Sequence, residues 1–242
     1  MGERLKEFAL LDRLVCDVID RTISSLNFST DSKQQLALAS FYFSIVEQSR
    51  AVLCLFDKDL GHHSGPILRS QLEAYADLLN TVKDEAYLKN LELANLRARR
   101  KLLVLILSGN PYSEGMEKTR DIAEIEISEI GKKINCLVAE GAKDLQLKEK
   151  MANVDMTDEA AACLPWLNAQ THGDLAAVTD RHLVTVGRRL EIHCLTNGKS
   201  AEYSPNISLS CDLILQASVS IHTYFATGKE IEFQQIIQSR KV

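Results

Sequence analysis

The stretch that most constrains the fold is residues 31–57, where Leu36, Leu38, Phe41, Phe43, Ile45, Val46, Val52, Leu53, Leu55 and Phe56 recur without a break. Apolar residues all round a helix of this length need covering on every side, which places such a segment at the centre of a helical bundle. The rest of the chain agrees. Pro is scarce, with four, and Gly numbers eleven among 242 residues. No segment alternates cleanly at period two, so strands are not expected. The expected fold is all-α, a multi-helix bundle of about seven to nine helices.

The punctuation divides the chain as follows. Residues 3–26 carry Leu5, Phe8, Leu11, Leu14, Val15 and Val18 at helical spacing. Ser29, Thr30 or Asp31 caps the second helix. Ser64 and Pro66 start a third, running to about residue 82. A fourth helix begins near Asp84 and is stopped by Gly109 and Pro111. A fifth covers residues 114–140. The ladders Leu88, Leu91, Asn95, Ala98, Leu102, Leu105 and Ala123, Ile127, Ile130, Ile134, Leu137 predict that these two pair as an antiparallel hairpin. Two short helical pieces flank Pro165, a helix spans residues 174–195, and a last long helix covers 207–227 with Gly228 as its C-cap. A short helix is expected in the tail. Helices two, three and the last long one should form the centre. The whole is expected to be a single helical-bundle domain over residues 1–242, with residues 84–142 as a hairpin able to project from it.

Bulk chemistry excludes several classes. The net charge of −5 argues against non-specific phosphate binding. Cys16, Cys54, Cys136, Cys163, Cys194 and Cys211 form no CxxC pair, so buried reduced thiols are expected rather than zinc or disulfides. The N-terminus carries acids and resembles neither a secretory signal nor a transit peptide. Lys101–Leu107 is too short to span a bilayer. A cytoplasmic protein with no membrane association is expected. His62 and His63 follow Asp57 and Asp59, but adjacent loop residues seldom both ligate one ion. No metal site and no cofactor are expected. Arg97, Arg99, Arg100 and Lys101 read as a solvated basic face flanked by acids.

Two places could carry chemistry. On the third helix, taking Leu68 as zero, Leu72, Tyr75, Ala76 and Leu79 lie within about 80°. Arg69, Glu73 and Asn80 fall at about 100–140°, on the rim of that stripe, with Asp77 on the solvent side. An Arg–Glu pair there is either an ordinary i,i+4 surface pair or a half-buried pair completed by a third group. His172 is the proposed third member, reached across the core. His172 and Gly173 come just before an expected helix, where the macrodipole would favour a neutral imidazole. Further on, His182, Val186, Arg189 and His193 would share one helical face. Arg188 and His193 match the R-x4-H signature of HEPN ribonucleases, although about one such match is expected by chance in a chain of this composition.

"GPILRSQLEAYADLLN" and "LNAQTHGD" resemble an uncharacterised bacterial family of all-helical proteins, a domain of unknown function with an R-[ST]-x-x-E helix and a downstream His-Gly. Arg69, Ser70, Glu73, His172 and Gly173 are the matching positions, and the resemblance covers about residues 30–195. It implies a shared fold and polar cluster without a reaction, and a distant HEPN-like relationship by analogy. Two function classes stay open. One is a non-enzymatic interaction or structural module that self-associates through its helices. The other is a HEPN-like ribonuclease or toxin-type effector of a bacterial defence or toxin–antitoxin system, acting on RNA with Arg69, Glu73 and His172, or Arg188 and His193.

Overall fold

The computed structural model describes residues 2–109, 120–172, 174–175, 179, 182–192 and 204–240. Counting the interrupted first helix as one, nine helices appear among them, so the chain is all-α. The helices are α1 (Gly2–Arg13), α2 (Ile19–Ile23), α3 (Lys33–Asp57), α4 (Gly65–Lys83), α5 (Leu88–Leu107), α6 (Arg120–Ala139), α7 (Leu147–Ala152), α8 (Thr157–His172), α9 (Ser204–Tyr224) and α10 (Glu230–Arg240). Two strands, β1 (Leu183–Val186) and β2 (Arg189–Ile192), form one antiparallel hairpin. The described residues fall into two compact units, one of Met1–Lys83 with Met151–Val242, the other Asp84–Lys150.

In the larger unit α3, α4 and α9 pack mutually, as the run of apolar residues in the second helix predicts. Leu38, Tyr42, Ile45 and Val52 of α3, Leu68, Leu72 and Leu78 of α4, and Ile207, Ile214, Leu215 and Ile221 of α9 are all buried in these three packed helices. The cap of α3 is Ser32, not Ser29, Thr30 or Asp31: its hydroxyl accepts from the Gln35 amide at 3.3 Å. Ser29 serves the turn before it, accepting from the Asp31 amide. A π-helical turn, Leu14–Val18, joins α1 to α2. Its wider turn lets Leu14, Val15, Val18 and Ile19 all reach the core. Arg21 fastens this helix to α10 through Glu232 at 2.8 Å.

Three readings of the second half need correction. α8 runs unbroken through Pro165, where two short pieces were expected. Pro removes one intrahelical donor, and α8 keeps its turn by packing against α4. The helix expected over 174–195 contains a β-hairpin instead. Val184-Thr185-Val186 is a β-branched run, and Gly187 takes φ +64° in the two-residue turn that such hairpins favour. His182, Val186 and Arg189 therefore do not share a helical face. At the end of α9 the left-handed residue is Ala226, φ +50°, with Thr227 N–H bonded to the His222 carbonyl. Gly228 is also left-handed but lies two residues further on.

In the smaller unit α5 and α6 pack as a hairpin. Lys89 pairs with Glu140 and Arg99 with Glu126, so the start of one helix meets the end of the other, which is the antiparallel order expected. The α6 ladder is the expected one. Ala123, Ile130 and Leu137 are buried, and Ile127 and Ile134 pack beside them. The α5 ladder is not. Leu96, Leu103, Ile106 and Leu107 face α6, while Asn95, Ala98, Leu102 and Leu105 are exposed. The start expected at residue 114 lies outside the described residues.

His222 sits fully buried in the larger unit. Its ring stacks on Phe233, and Nδ1 bonds Thr227 Oγ1 at 2.9 Å. Burial pushes its pKa down to about 4. The unfolded chain then binds a proton that the folded one refuses between about pH 6.5 and 4, so stability is complete above that window and falls as pH drops through it. Denaturant unfolding should show wild type losing roughly 3 kcal/mol more than His222→Gln between pH 7.5 and pH 4. Equal losses in the two proteins would refute this assignment.

Candidate functional site

The polar site assembles where α4 meets α8. Its start is set by Ser64, whose carbonyl accepts from the Leu68 amide at 2.9 Å, and by Pro66 in the first turn, where a missing N–H costs nothing. Gly65 lies against α8. A Cβ there would stand 2.2 Å from Gln170 Oε1 and 2.6 Å from its Cβ, so only glycine permits this approach. One turn further on, Arg69 Nε donates to Asn168 Oδ1 at 2.7 Å. The same guanidinium lies 3.6 Å from Glu73 through Nη1 and Oε2. The Arg69 and Glu73 side chains keep 27% and 41% of their exposure, so both are half-buried.

The third partner of the pair is thus Asn168, which the sequence reading did not single out. It stands one helical turn before His172 within "LNAQTHGD". His172 itself is the last residue of α8 and exposed. Of the helix expected to begin after it, residues 175, 179 and 182 are helical and the positions between them lie outside the described residues. Gly173 lies outside the described residues. Ser70 is exposed, its hydroxyl donating back to the Pro66 carbonyl. Asp77, expected on the solvent side, is 6% exposed, because α3, α8 and α9 all pack on α4 and leave it little open surface.

Beneath the Arg69 pair runs a second polar layer. Asn206 Nδ2 donates to Ser64 Oγ and reaches Gln170 Oε1 at 3.4 Å, while the Ser64 hydroxyl donates to the Gly61 carbonyl. Gln71 Nε2 donates to Ser49 Oγ at 2.7 Å and to the Ile45 carbonyl at 3.3 Å. Ser210 bonds Ser49 at 3.4 Å. All these side chains are buried, and together they join α3, α4, α8 and α9. Serines and amides scattered through four helices carry no shared spacing, so no motif points to them. What the whole arrangement does chemically is hold helices in register: a cation is clamped between a carboxylate and an amide, over neutral groups joined through their amide N–H donors, with the Gln71 and Asn206 amide oxygens left without a partner among the described residues.

Arg188 is exposed in the β-hairpin turn, and His193 lies outside the described residues. His62 is buried and His63 exposed, their rings 4.0 Å apart. Among the described residues no three His, Cys, Asp or Glu side chains are placed to hold a metal ion. In the smaller unit Arg97 pairs with Asp144 and Arg99 with Glu126, so acids do flank the basic face. Cys16, Cys54 and Cys136 are exposed, where burial was expected; Cys211 is buried, its thiol pushed up by that burial. Cys194 lies outside the described residues.

Two measurements check the clamp. Gly65→Ala should cost about 1–3 kcal/mol in denaturant unfolding, as overpacking a helix contact does. A double-mutant cycle of Arg69→Ala and Asn168→Ala should return a coupling of about 1 kcal/mol, the scale of a hydrogen bond to a charged group discounted for partial exposure. Additive effects would mean that the two side chains do not act together.

Comparison with curated proteins and with solved structures found no match. Among the described residues no helix is long and apolar enough to cross a membrane. The profile described as "Family of unknown function (DUF5677)" matches residues 35–188, which run from the start of α3 to the β-hairpin turn and include Arg69, Glu73, Asn168 and His172. A match over more than half its length means that this chain belongs to that family of unknown function.

Proposed function

We propose that this protein is a non-enzymatic interaction module that self-associates through its helices, with Arg69, Glu73 and Asn168 as part of its internal framework. The observation that carries this reading is the outer surface of the α5–α6 hairpin. Leu102, Val104, Leu105, Ile122 and Ile125 keep between 42% and 66% of their exposure. Large apolar side chains gathered on one small element are a feature of association surfaces. The Arg69 cluster supports the same reading from the other side, because its groups are spent on joining α4 to α8. The exposed free thiols of Cys16, Cys54 and Cys136 support a reducing, cytoplasmic setting.

The HEPN-like alternative draws less support. It asks for Arg188 and a histidine presented together in a cleft, and Arg188 stands in a β-turn. Two experiments separate the classes. Light scattering behind size-exclusion chromatography, over a hundredfold range of concentration, should show a species larger than one chain that gives way to monomer on dilution. Expression of wild type, His172→Ala and His193→Ala in a bacterial host should leave growth and RNA integrity equal in all three. RNA loss with wild type alone would overturn the interaction reading in favour of a nuclease.

A further inference from the structure

α5 carries two apolar stripes where a two-helix hairpin needs one. The first, Leu96, Leu103, Ile106 and Leu107, packs on α6. The second is Leu88, Leu91, Asn95, Ala98, Leu102 and Leu105, centred about 110° round the helix from the first. Leu102 and Leu105 are 47% and 42% exposed, Asn95 and Ala98 are exposed, and Leu88 and Leu91 are half-buried. The spacing of this stripe alternates between three and four residues, the repeat of a coiled-coil seam.

The stripe also reads the same from either end. Under a two-fold axis between Asn95 and Ala98, Leu88 would meet the second copy's Leu105, Leu91 its Leu102, and Asn95 its Ala98. Large faces large and small faces small, which is the self-complementarity that a two-fold interface requires. Charge selects the same direction. Glu85 and Glu92 lie toward the N-terminal end of the stripe, and Arg99, Arg100 and Lys101 toward its C-terminal end. Glu92, Arg99 and Lys101 flank the seam. An antiparallel pair sets the acidic end beside the basic end of the other copy, whereas a parallel pair stacks base on base.

We infer that the occupant of this stripe is a second copy of the chain, docked α5 against α5 in antiparallel register about a two-fold axis between Asn95 and Ala98. This rests on the self-association proposed above and names its surface and orientation. The test uses the full chain. Leu102→Glu with Leu105→Glu should convert the dimer to monomer and weaken association at least tenfold, with the helical circular dichroism unchanged, because both side chains are already half open to water. Leu190→Glu with Ile192→Glu, on the exposed hairpin strand, should leave the dimer intact.

A nitroxide at Ser108, with the other accessible thiols replaced by Ser, should report a label-to-label separation of roughly 35 Å by pulsed electron resonance, against less than about 20 Å for a parallel pair. A short separation overturns the antiparallel register. A dimer that survives the α5 changes but is lost in the Leu190 and Ile192 variant overturns the α5 seam while self-association stands. A wild-type chain that is monomeric at every concentration overturns both.

Discussion

The first turn of α4 lies with its bare backbone directly on the Gln170 side chain of α8, and the polar architecture of the larger unit follows from that approach. Gly65 is the only residue type that lets the α4 backbone lie on Gln170. Once it does, Ser64 faces Asn206 on one side and Arg69 faces Asn168 on the other. A methyl group at position 65 would push α4 away from α8, where Arg69 meets Asn168. The Arg69–Glu73 pair is thus held by a backbone contact four residues before it, and its geometry is a consequence of packing rather than of ion pairing. An exposed i,i+4 pair contributes only a few tenths of a kcal/mol, far too little to place a helix.

A helix surrounded on three sides explains the remaining polarity. α4 buries Gln71, Asp77, Asn80 and Thr81 along with its leucines, and it does so by giving each a local or cross-helix partner. Thr81 donates to the Asp77 carbonyl and Asn80 to that of Ala76, while Gln71 crosses to α3. The larger unit therefore has a core that is apolar in bulk and threaded by polar groups that bond across helices, with the Gln71 and Asn206 amide oxygens left unpaired among the described residues. Such threads fix which helix turn sits opposite which, a specificity that interchangeable leucines do not supply. His222 is the exception in kind: an ionisable ring kept neutral by burial between Phe233 and Tyr42, and so a point where acid works against the fold.

How much of this was legible in the sequence varies by residue. The central role of α3, α4 and α9 was legible because all-round apolarity has one solution in water. The α4 start was legible at Ser64 and Pro66, whose backbone preferences are intrinsic. Arg69 and Glu73 were legible as a pair on the rim of the stripe. Asn168 was not, since a lone asparagine ninety-nine residues from Arg69 carries no spacing or motif that marks it as its partner. The β-hairpin was missed because its strands are four residues each, too short for alternation to register against the surrounding helical pattern. Its turn signal, Gly187 after a β-branched run, was present but was read as part of a helix.

α5 shows where the boundary lies between the two sources of information. The sequence by itself determined that residues 88–107 form a helix and that α6 presents Ala123, Ile130 and Leu137 to a partner, because periodicity and propensity are properties of the segment alone. It determined equally that α5 has apolar residues on more than one face. Which of those faces packs on α6 was decided only in the tertiary structure. Leu96, Leu103 and Ile106 take that place, and Leu102 and Leu105 are left outside. Burial free energy is nearly the same for either stripe, so local pattern cannot rank them. The ion pairs Lys89–Glu140, Arg97–Asp144 and Arg99–Glu126, together with the interlock of side chains across the hairpin, exist only once both helices are in place.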